Sequence, residues 1–347
     1  MSSIDINKEQ WKAFHCSHQG ASHKKIGKVC QDAAFSSDGN RYALAIVCDG
    51  HGSTNYFRSD KGAKLAQKAV QNTLREFMGY FLSLEAIELE QQFLQQPDKF
   101  MRQLVTNIVY NWRKAVKKDF CRHPFRKEEL AQVDAKHRTR YETESETYFV
   151  KAYGTTLIAV IIFPNHFWFG LHIGDGKCVA CYEDGSWGQP IPWDEACFLN
   201  VTTSLCDEKA IEEFRYCLHT DRFPVALFVG SDGVDDSFLS NDDLYVFYQE
   251  LYQTFQEKGR EQARKEIDCY LPILSEKGSG DDISISGIIK KHKIMKIPGV
   301  TFSWKRALGI TKVKQKIAKE TGIPLTKQGI ERKIGAIVLK TIRRKIE

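Results

Sequence analysis

Five aspartates in this 347-residue chain stand where apolar runs give way to small residues. They are Asp32 in "CQDAAF", Asp49 in "CDGHGS", Asp175 in "HIGDGK", Asp232 in "VGSDGVDD" and Asp281 in "GSGDDIS". Any one alone is an ordinary turn, because Asp and Gly end strands through local hydrogen bonds and relaxed backbone sterics. Surface loops could also hold all five apart in water. Brought together, they would repel one another unless something neutralised them. Glycines at 50, 52, 174, 176, 230, 233 and 280 let backbone and ligand approach closely, as a crowded ion site requires. Hard divalent cations take oxygen ligands, with waters filling the remaining positions. No His/Cys cluster accompanies the acids, so Mg²⁺ or Mn²⁺ is preferred to zinc. Two such ions can acidify a shared water and clamp the oxygens of an in-line displacement, which makes phosphoester hydrolysis the natural chemistry.

Those acids need strands and turns to carry them. Residues 41–48 ("RYALAIVC") read as a strand running into the turn at Asp49, and Asp32 stands just before another expected strand. Apolar residues recur at helical spacing over about 62–82, and again over about 98–119, where Phe100, Leu104, Ile108, Trp112 and Val116 share a face. Residues 121–147 are polar and charge-mixed, and read as an exposed connection. Strands then dominate: "TTLIAVIIF", "HFWFGLHIG", "KCVACYED", "VALFVGSD" and, after a helical segment at about 241–270, "DISISGIIK". Short turns such as "PN" and "EDGS" join several of them, the pattern of antiparallel hairpins. Helices and strands do not alternate as in a parallel βαβ chain, so antiparallel sheets with helices packed outside are expected.

Bulk properties bound the rest. A 42% hydrophobic content with only nine prolines fits a chain with a packed core rather than a disordered one. Residues 291–347 hold 16 Lys and Arg against 3 Glu, a charge of +13, whereas residues 1–290 carry −7. An acidic body with a basic tail is two physical objects. The tail reads as two short helices broken at Gly322–Pro324, the second with Ile330, Ile334, Ile337, Val338 and Ile342 on one face. It could dock on the acidic body or bind an acidic partner, an anionic membrane surface or nucleic acid. It has neither the aromatic interleaving nor the Cys/His module that would favour nucleic acid. Ten scattered cysteines read as reduced core thiols of a cytoplasmic protein. Cys178 and Cys181 form a CxxC, but three residues apart on a strand they face opposite ways, which argues against zinc or redox chemistry. The N-terminal "MSSIDINKEQ" has no apolar stretch of the signal-peptide kind. The greasiest run, "TTLIAVIIFPNHFWFGLHIG", is interrupted by Pro164, Asn165 and His166 and reads as two strands rather than a membrane span.

In order along the chain, "QDAAF", "AIVCDGHGS", "YGTTLIAVII", "HIGDGKCVA", "LFVGSDGVDDSF" and "GSGDDISISGII" resemble the motifs of metal-dependent serine/threonine protein phosphatases of type 2C, in a bacterial-style branch, over roughly residues 15–290. The resemblance implies an α+β fold, a four-layer sandwich of two antiparallel β-sheets flanked by α-helices. The domain would span 1–290, followed by the basic helical extension 291–347. It implies that Asp49 bridges two Mg²⁺ or Mn²⁺ ions, that the Gly50 carbonyl ligates one, and that Asp232 and Asp281 complete the pair. Asp175 matches the position tied to a third, weaker ion, and Asp32 the one that supports a metal-bound water. Asp282 is expected to be structural. His51 matches the general acid that protonates the departing serine or threonine oxygen. Two positions depart from the pattern. Gly27 stands where many relatives place a phosphate-gripping arginine, leaving His23 and Lys28 as candidates, with lysine a point charge rather than a fork. Gln31 replaces a common glutamate. The segment 193–205 resembles a flap beside the active site, Gly154, Thr155 and Thr156 are expected to open a central strand, and Phe167 and Trp168 to be core. The expected substrate is a phosphoprotein. The rival readings are a catalytically weak phosphatase fold serving as a signalling scaffold and a nucleic-acid-associated protein acting through its tail.

Overall fold

Alternation along buried strands dictates the layers. The computed structural model describes residues 11–39, 41–81, 88, 93–142, 145–164, 166–197 and 201–291. One sheet has the order β1 (Trp11–His18), β10 (Ile283–Lys290), β9 (Pro224–Gly230), β6 (Lys177–Tyr182), β7 (Trp187–Gly188). The other has the order β2 (Ala33–Asp38), β3 (Ala43–Cys48), β4 (Leu157–Phe163), β5 (Phe167–Ile173), β8 (Arg215–His219). Every pairing is antiparallel.

All six residues of β3 are buried, yet Ala43, Ala45 and Val47 join one core while Leu44, Ile46 and Cys48 join another. Successive side chains point to opposite faces, so a strand apolar at every position must be covered twice. β4 and β9 behave in the same way. The inner core lies between the sheets and includes Val160, Trp168, Ala180, Leu227, Val229 and Ile288. Helices Ser59–Phe81 and Pro97–Arg122 cover the β2–β8 sheet through Val70, Leu74, Leu104, Ile108 and Trp112. Helices Asn241–Lys258 and Arg260–Lys277 cover the other sheet through Phe247, Leu251, Ile267 and Leu271. The four-layer sandwich expected from the sequence is the fold found. Cys178 faces the inner core and Cys181 the outer one, as alternation requires, and Phe167 and Trp168 are both fully buried.

Three expectations need correction. Residues 121–147 are not a bare connection: short helices Lys127–Ala131 and Ala135–Tyr141 form there, with Val133 and Tyr141 buried. The helical segment near 241–270 is two helices, separated at Gly259, whose φ of +78° suits only glycine well. Of the ten cysteines, five are buried, while Cys121 and Cys269 are exposed. The basic-tail reading falls on residues 292–347, which lie outside the described residues. No helix among the described residues is long and apolar enough to cross a membrane.

Register fixes where the acids go. Ala33 pairs with Cys48, Leu157 with Ile173, and Gly230 with both Ile285 and Lys177. Within one sheet the beginnings of β2 and β4 therefore lie with the finishes of β3 and β5, and within the other the beginnings of β6 and β10 lie with the finish of β9; the short link between Ile173 of β5 and Lys177 of β6 brings the two ends together. Asp32, Asp49, Asp175, Asp232 and Asp281 all sit at that end.

Candidate metal centre

Asp49 directly follows β3, and its backbone is held from both sides. Its N–H donates to Thr156 Oγ1 at 3.1 Å, and its carbonyl accepts from the Thr156 N–H and from Thr155 Oγ1, each at 2.8 Å. The threonines ahead of β4 thus satisfy the backbone of the Asp49 turn. Gly50 donates its N–H to the Gln31 carbonyl at 3.2 Å, and a Cβ there would lie 2.6 Å from that oxygen, so only glycine lets the loop pass.

Asp232 opens the one-turn helix Asp232–Asp235 after β9, and its carboxylate lies within hydrogen-bonding reach of Asp49. Two facing carboxylates in a buried site cannot both ionise freely. Burial, then Asp32 and Asp232, holds the Asp49 carboxyl well above the usual range. Burial likewise raises Asp232 to about 6, with Asp281 and Asp235 adding to the push and the Asp49 hydrogen bond opposing it. Asp175 is raised to about 7, first by burial and then by Asp232. Asp32 is 5% exposed and is raised by burial, then by Asp282. Neither Asp32 oxygen has a hydrogen-bond partner of ordinary geometry, although the Ser284 hydroxyl is near enough to favour its charge. Asp32, Asp49, Asp232 and Asp281 thus lie in one another's fields and Asp175 in that of Asp232, although the ligand-atom cluster that closes within 4.8 Å among the described residues is His23, Asp281 and Asp282 rather than these five. An all-carboxylate set with mutual repulsion and free buried oxygens suits a hard divalent cation.

Asp282 is buried and differently held. It accepts from the Gly20 and Gln31 N–H groups at 2.6 Å each, and its Oδ1 lies 2.9 Å from His23 Nδ1. Burial would raise its carboxyl, but His23 and the two amides more than offset that and lower it. The structural role expected of Asp282 matches this placement. His23 faces carboxylates on both ring nitrogens, with Nε2 at 3.5 Å from Asp281 Oδ1. His23, Asp281 and Asp282 present ligand atoms all within 4.8 Å of one another. Lys28 reaches over the site: its Nζ donates to the Gly52 carbonyl at 2.7 Å, and Asp281, Asp282 and Asp49 are its charged neighbours. Gly27 has a φ of +67° with open space around it.

His51 donates its N–H to the Gly154 carbonyl at 3.2 Å and packs its ring on Tyr56, with centroids 4.6 Å apart. Burial first and Lys151 second push the imidazole down to about 4. Its carbonyl accepts from Ser59 Oγ at 2.9 Å and from Gln31 Nε2 at 3.1 Å. Gln31 therefore braces the His51 loop with an N–H that glutamate would lack. Ser53 precedes a 3₁₀ turn, Thr54–Tyr56, without a side-chain capping bond.

Some participants were not singled out from sequence. Asp235 pairs its Oδ2 with Lys177 Nζ at 2.9 Å; burial raises its carboxyl to about 6, with Lys177 pulling down and Asp175 pushing up. The signals were spacing: Asp235 lies one helical turn beyond Asp232, and Lys177 two residues beyond Asp175. Arg215 was also missed. Its Nη2 donates to the Gly174 carbonyl at 2.7 Å and its Nε lies 3.6 Å from Asp194. Thr203 completes that tether, donating to Asp194 at 2.8 Å and accepting from the Gly174 N–H at 3.0 Å. The described part of the segment 193–205 thus borders the Asp175 loop, with 198–200 outside the described residues.

A family model described as Protein phosphatase 2C matches residues 19–272. The serine/threonine phosphatase Stp1 from Staphylococcus aureus is similar in structure at 12% identity, over 84% of this chain and 100% of that one, with a TM-score of 0.51. The catalytic domain of the phosphatase PstP, solved with two manganese ions, is similar at 15% identity over 82% and 99% of the two chains, with a TM-score of 0.46. No match to a curated protein is found.

Proposed function

The chain belongs to the protein phosphatase 2C family, and from that premise we propose that it hydrolyses phosphoserine and phosphothreonine in proteins with the help of Mg²⁺ or Mn²⁺. Asp49, the Gly50 carbonyl, Asp232 and Asp281 would hold two ions, and Asp175 a third, weaker one. Bound there, the ions would neutralise the carboxylates, acidify the attacking water and draw charge from the phosphoryl oxygens. The chain's own groups do the rest. Asp32, buried with free oxygens, orients that water by accepting its hydrogen bond. Lys28 grips the substrate phosphate as a point charge. We assign that grip to Lys28 rather than His23, whose ring nitrogens both face carboxylates. Burial, then Lys151, pushes the His51 imidazole down to about 4 and so favours its neutral form; a phosphate dianion docked beside it would favour the protonated form that serves the departing oxygen. Direct attack by water is favoured over a covalent route. Cys48, the cysteine next to Asp49, lies in the apolar core, where burial first and Asp32 second push its thiol well up and leave it a poor nucleophile.

The observation that supports this reading is that buried carboxyls set at strand ends of two different sheets, Asp32 and Asp49 on one and Asp232 on the other, lie near enough to raise one another. Asp49→Asn and Asp232→Asn should each lower Mn²⁺-stimulated phosphopeptide hydrolysis by orders of magnitude, with an unchanged circular-dichroism spectrum. EDTA should abolish wild-type turnover. Full activity in either variant would remove the assignment. For the tail, the +13 charge over 291–347 supports an acidic ligand, either the body of the chain, an acidic protein or nucleic acid. Deleting 292–347 should then abolish salt-sensitive retention on an anionic resin carrying polyglutamate or DNA; equal retention without the tail would refute the idea.

A further inference from the structure

We propose that His23 is itself a metal ligand, its Nε2 joining Asp281 on one ion of the centre while the Asp282 carboxylate stands behind the ring; this rests on the binuclear reading above.

Distances carry the inference. A charge-assisted hydrogen bond between imidazolium and carboxylate would measure about 2.7–2.9 Å. His23 Nε2 and Asp281 Oδ1 stand 3.5 Å apart, too long for that bond. Two atoms that each lie about 2.1 Å from a shared ion are about 3.0–3.5 Å apart, which is the separation found. On the other side of the ring, Asp282 Oδ1 lies 2.9 Å from Nδ1, a close charge contact without hydrogen-bond alignment. A ligating histidine usually has its second nitrogen set against a carboxylate, which fixes the ring and raises its basicity. Asp282 is 3% exposed and pinned by two backbone amides, so it can serve as that fixed carboxylate.

The backbone is fastened accordingly. The Ala21 N–H donates to Ser275 Oγ at 2.9 Å, and the Ser22 N–H to the Gly280 carbonyl at 2.8 Å, locking the His23 turn onto the loop that carries Asp281. A further buried carboxylate is close by. Asp32 is buried with both oxygens unpartnered, and its charged neighbours are Asp282, Asp232 and Asp281. An imidazole nitrogen also changes which ion is favoured, because it suits transition metals better than Mg²⁺.

The experiment uses the full chain loaded with Mn²⁺. Electron spin-echo envelope modulation should show ¹⁴N coupling to bound Mn²⁺ that disappears in His23→Gln. Calorimetric titration should show Mn²⁺ affinity at one site falling by at least about tenfold in His23→Gln and His23→Ala, with a smaller loss for Mg²⁺. Two Mn²⁺ ions bound without a His23-dependent nitrogen signal, or with unchanged affinity in the variants, would overturn the proposal and leave the phosphatase reading standing. Failure of the wild-type chain to bind Mn²⁺ at all would sink both.

Discussion

Lys28 is the residue whose role is easiest to separate from its neighbours. Its ammonium donates to the Gly52 carbonyl and has Asp281, Asp282 and Asp49 as charged neighbours, which sets a positive charge beside the carboxylates. A lost charge-assisted contact is worth about 1.5–3 kcal/mol. Lys28→Ala should therefore lower kcat/KM for a phosphopeptide by roughly 10- to 100-fold, and Lys28→Arg should restore most of it. The same change removes a positive charge from beside the carboxylates, so Mn²⁺ affinity should hold or tighten. A variant that loses Mn²⁺ affinity along with turnover would show that Lys28 shapes the centre rather than gripping substrate. His23, a few residues away, has the opposite signature. The sequence names both side chains as candidates for one task, because spacing shows that basic groups are near the acids but not which way each one turns. What separates them is position: His23 Nδ1 lies 2.9 Å from Asp282 Oδ1, whereas Lys28 donates to the Gly52 carbonyl.

At the scale of elements, the strands that carry the acids are legible because two-sided burial writes itself as continuous apolar runs. β3, β4, β5, β6, β9 and β10 all read that way. β1 ("WKAFHCSH") and β8 ("RYCLH") do not, because each lies at an edge of its sheet and alternates apolar with polar residues. The 121–147 region is hidden for a different reason: its structure depends on one distant cation. Arg58 is 3% exposed, and it donates to Glu129 at 2.8 and 2.9 Å, to the Tyr153 hydroxyl at 2.7 Å and to the His123 and Pro124 carbonyls at 2.6 and 3.1 Å. It thereby ties the short helices to the segment that follows His51. Arg58→Ala should cost about 3–5 kcal/mol, the usual penalty for orphaning one member of a buried pair. Burial would raise the Glu129 carboxyl, but Arg58 and the Arg126 amide more than offset this and bring it to about 2. A depressed carboxyl stabilises the fold above its usual 4.5 and loses that contribution as pH falls toward about 2. The stability gap between wild type and Glu129→Gln, measured by urea unfolding, should be full at pH 7 and shrink below about pH 4.5. A gap of constant size across that range would show that the charge is not what matters.

For the whole molecule, the centre is a joint between the sheets. Asp32 and Asp49 flank strands of one sheet, while Asp232 and Asp281 flank strands of the other. Cations held between them would cross-link the two halves of the sandwich at one end, so binding should be read out as stability. Ligand that binds only the folded state adds about 2.7 kcal/mol at a hundred times its Kd, and Mn²⁺ should raise Tm accordingly. The pH dependence has a definite sign. Burial and neighbouring carboxylates raise Asp232 to about 6 and Asp175 to about 7. A raised carboxyl favours the fold below its usual 3.8, and that contribution is lost as pH climbs through 6 and 7. In EDTA the protein should therefore become less stable between pH 5 and pH 8, by the measure of these two groups. Metal affinity runs the other way, since ligand carboxylates must first lose their protons. The Tm gain from Mn²⁺ over EDTA should thus widen from pH 5 to pH 8, and it should collapse at every pH in an Asp49→Asn/Asp232→Asn double variant. A gain that is flat with pH, or that survives in the double variant, would place the stabilising ions somewhere other than between the sheets.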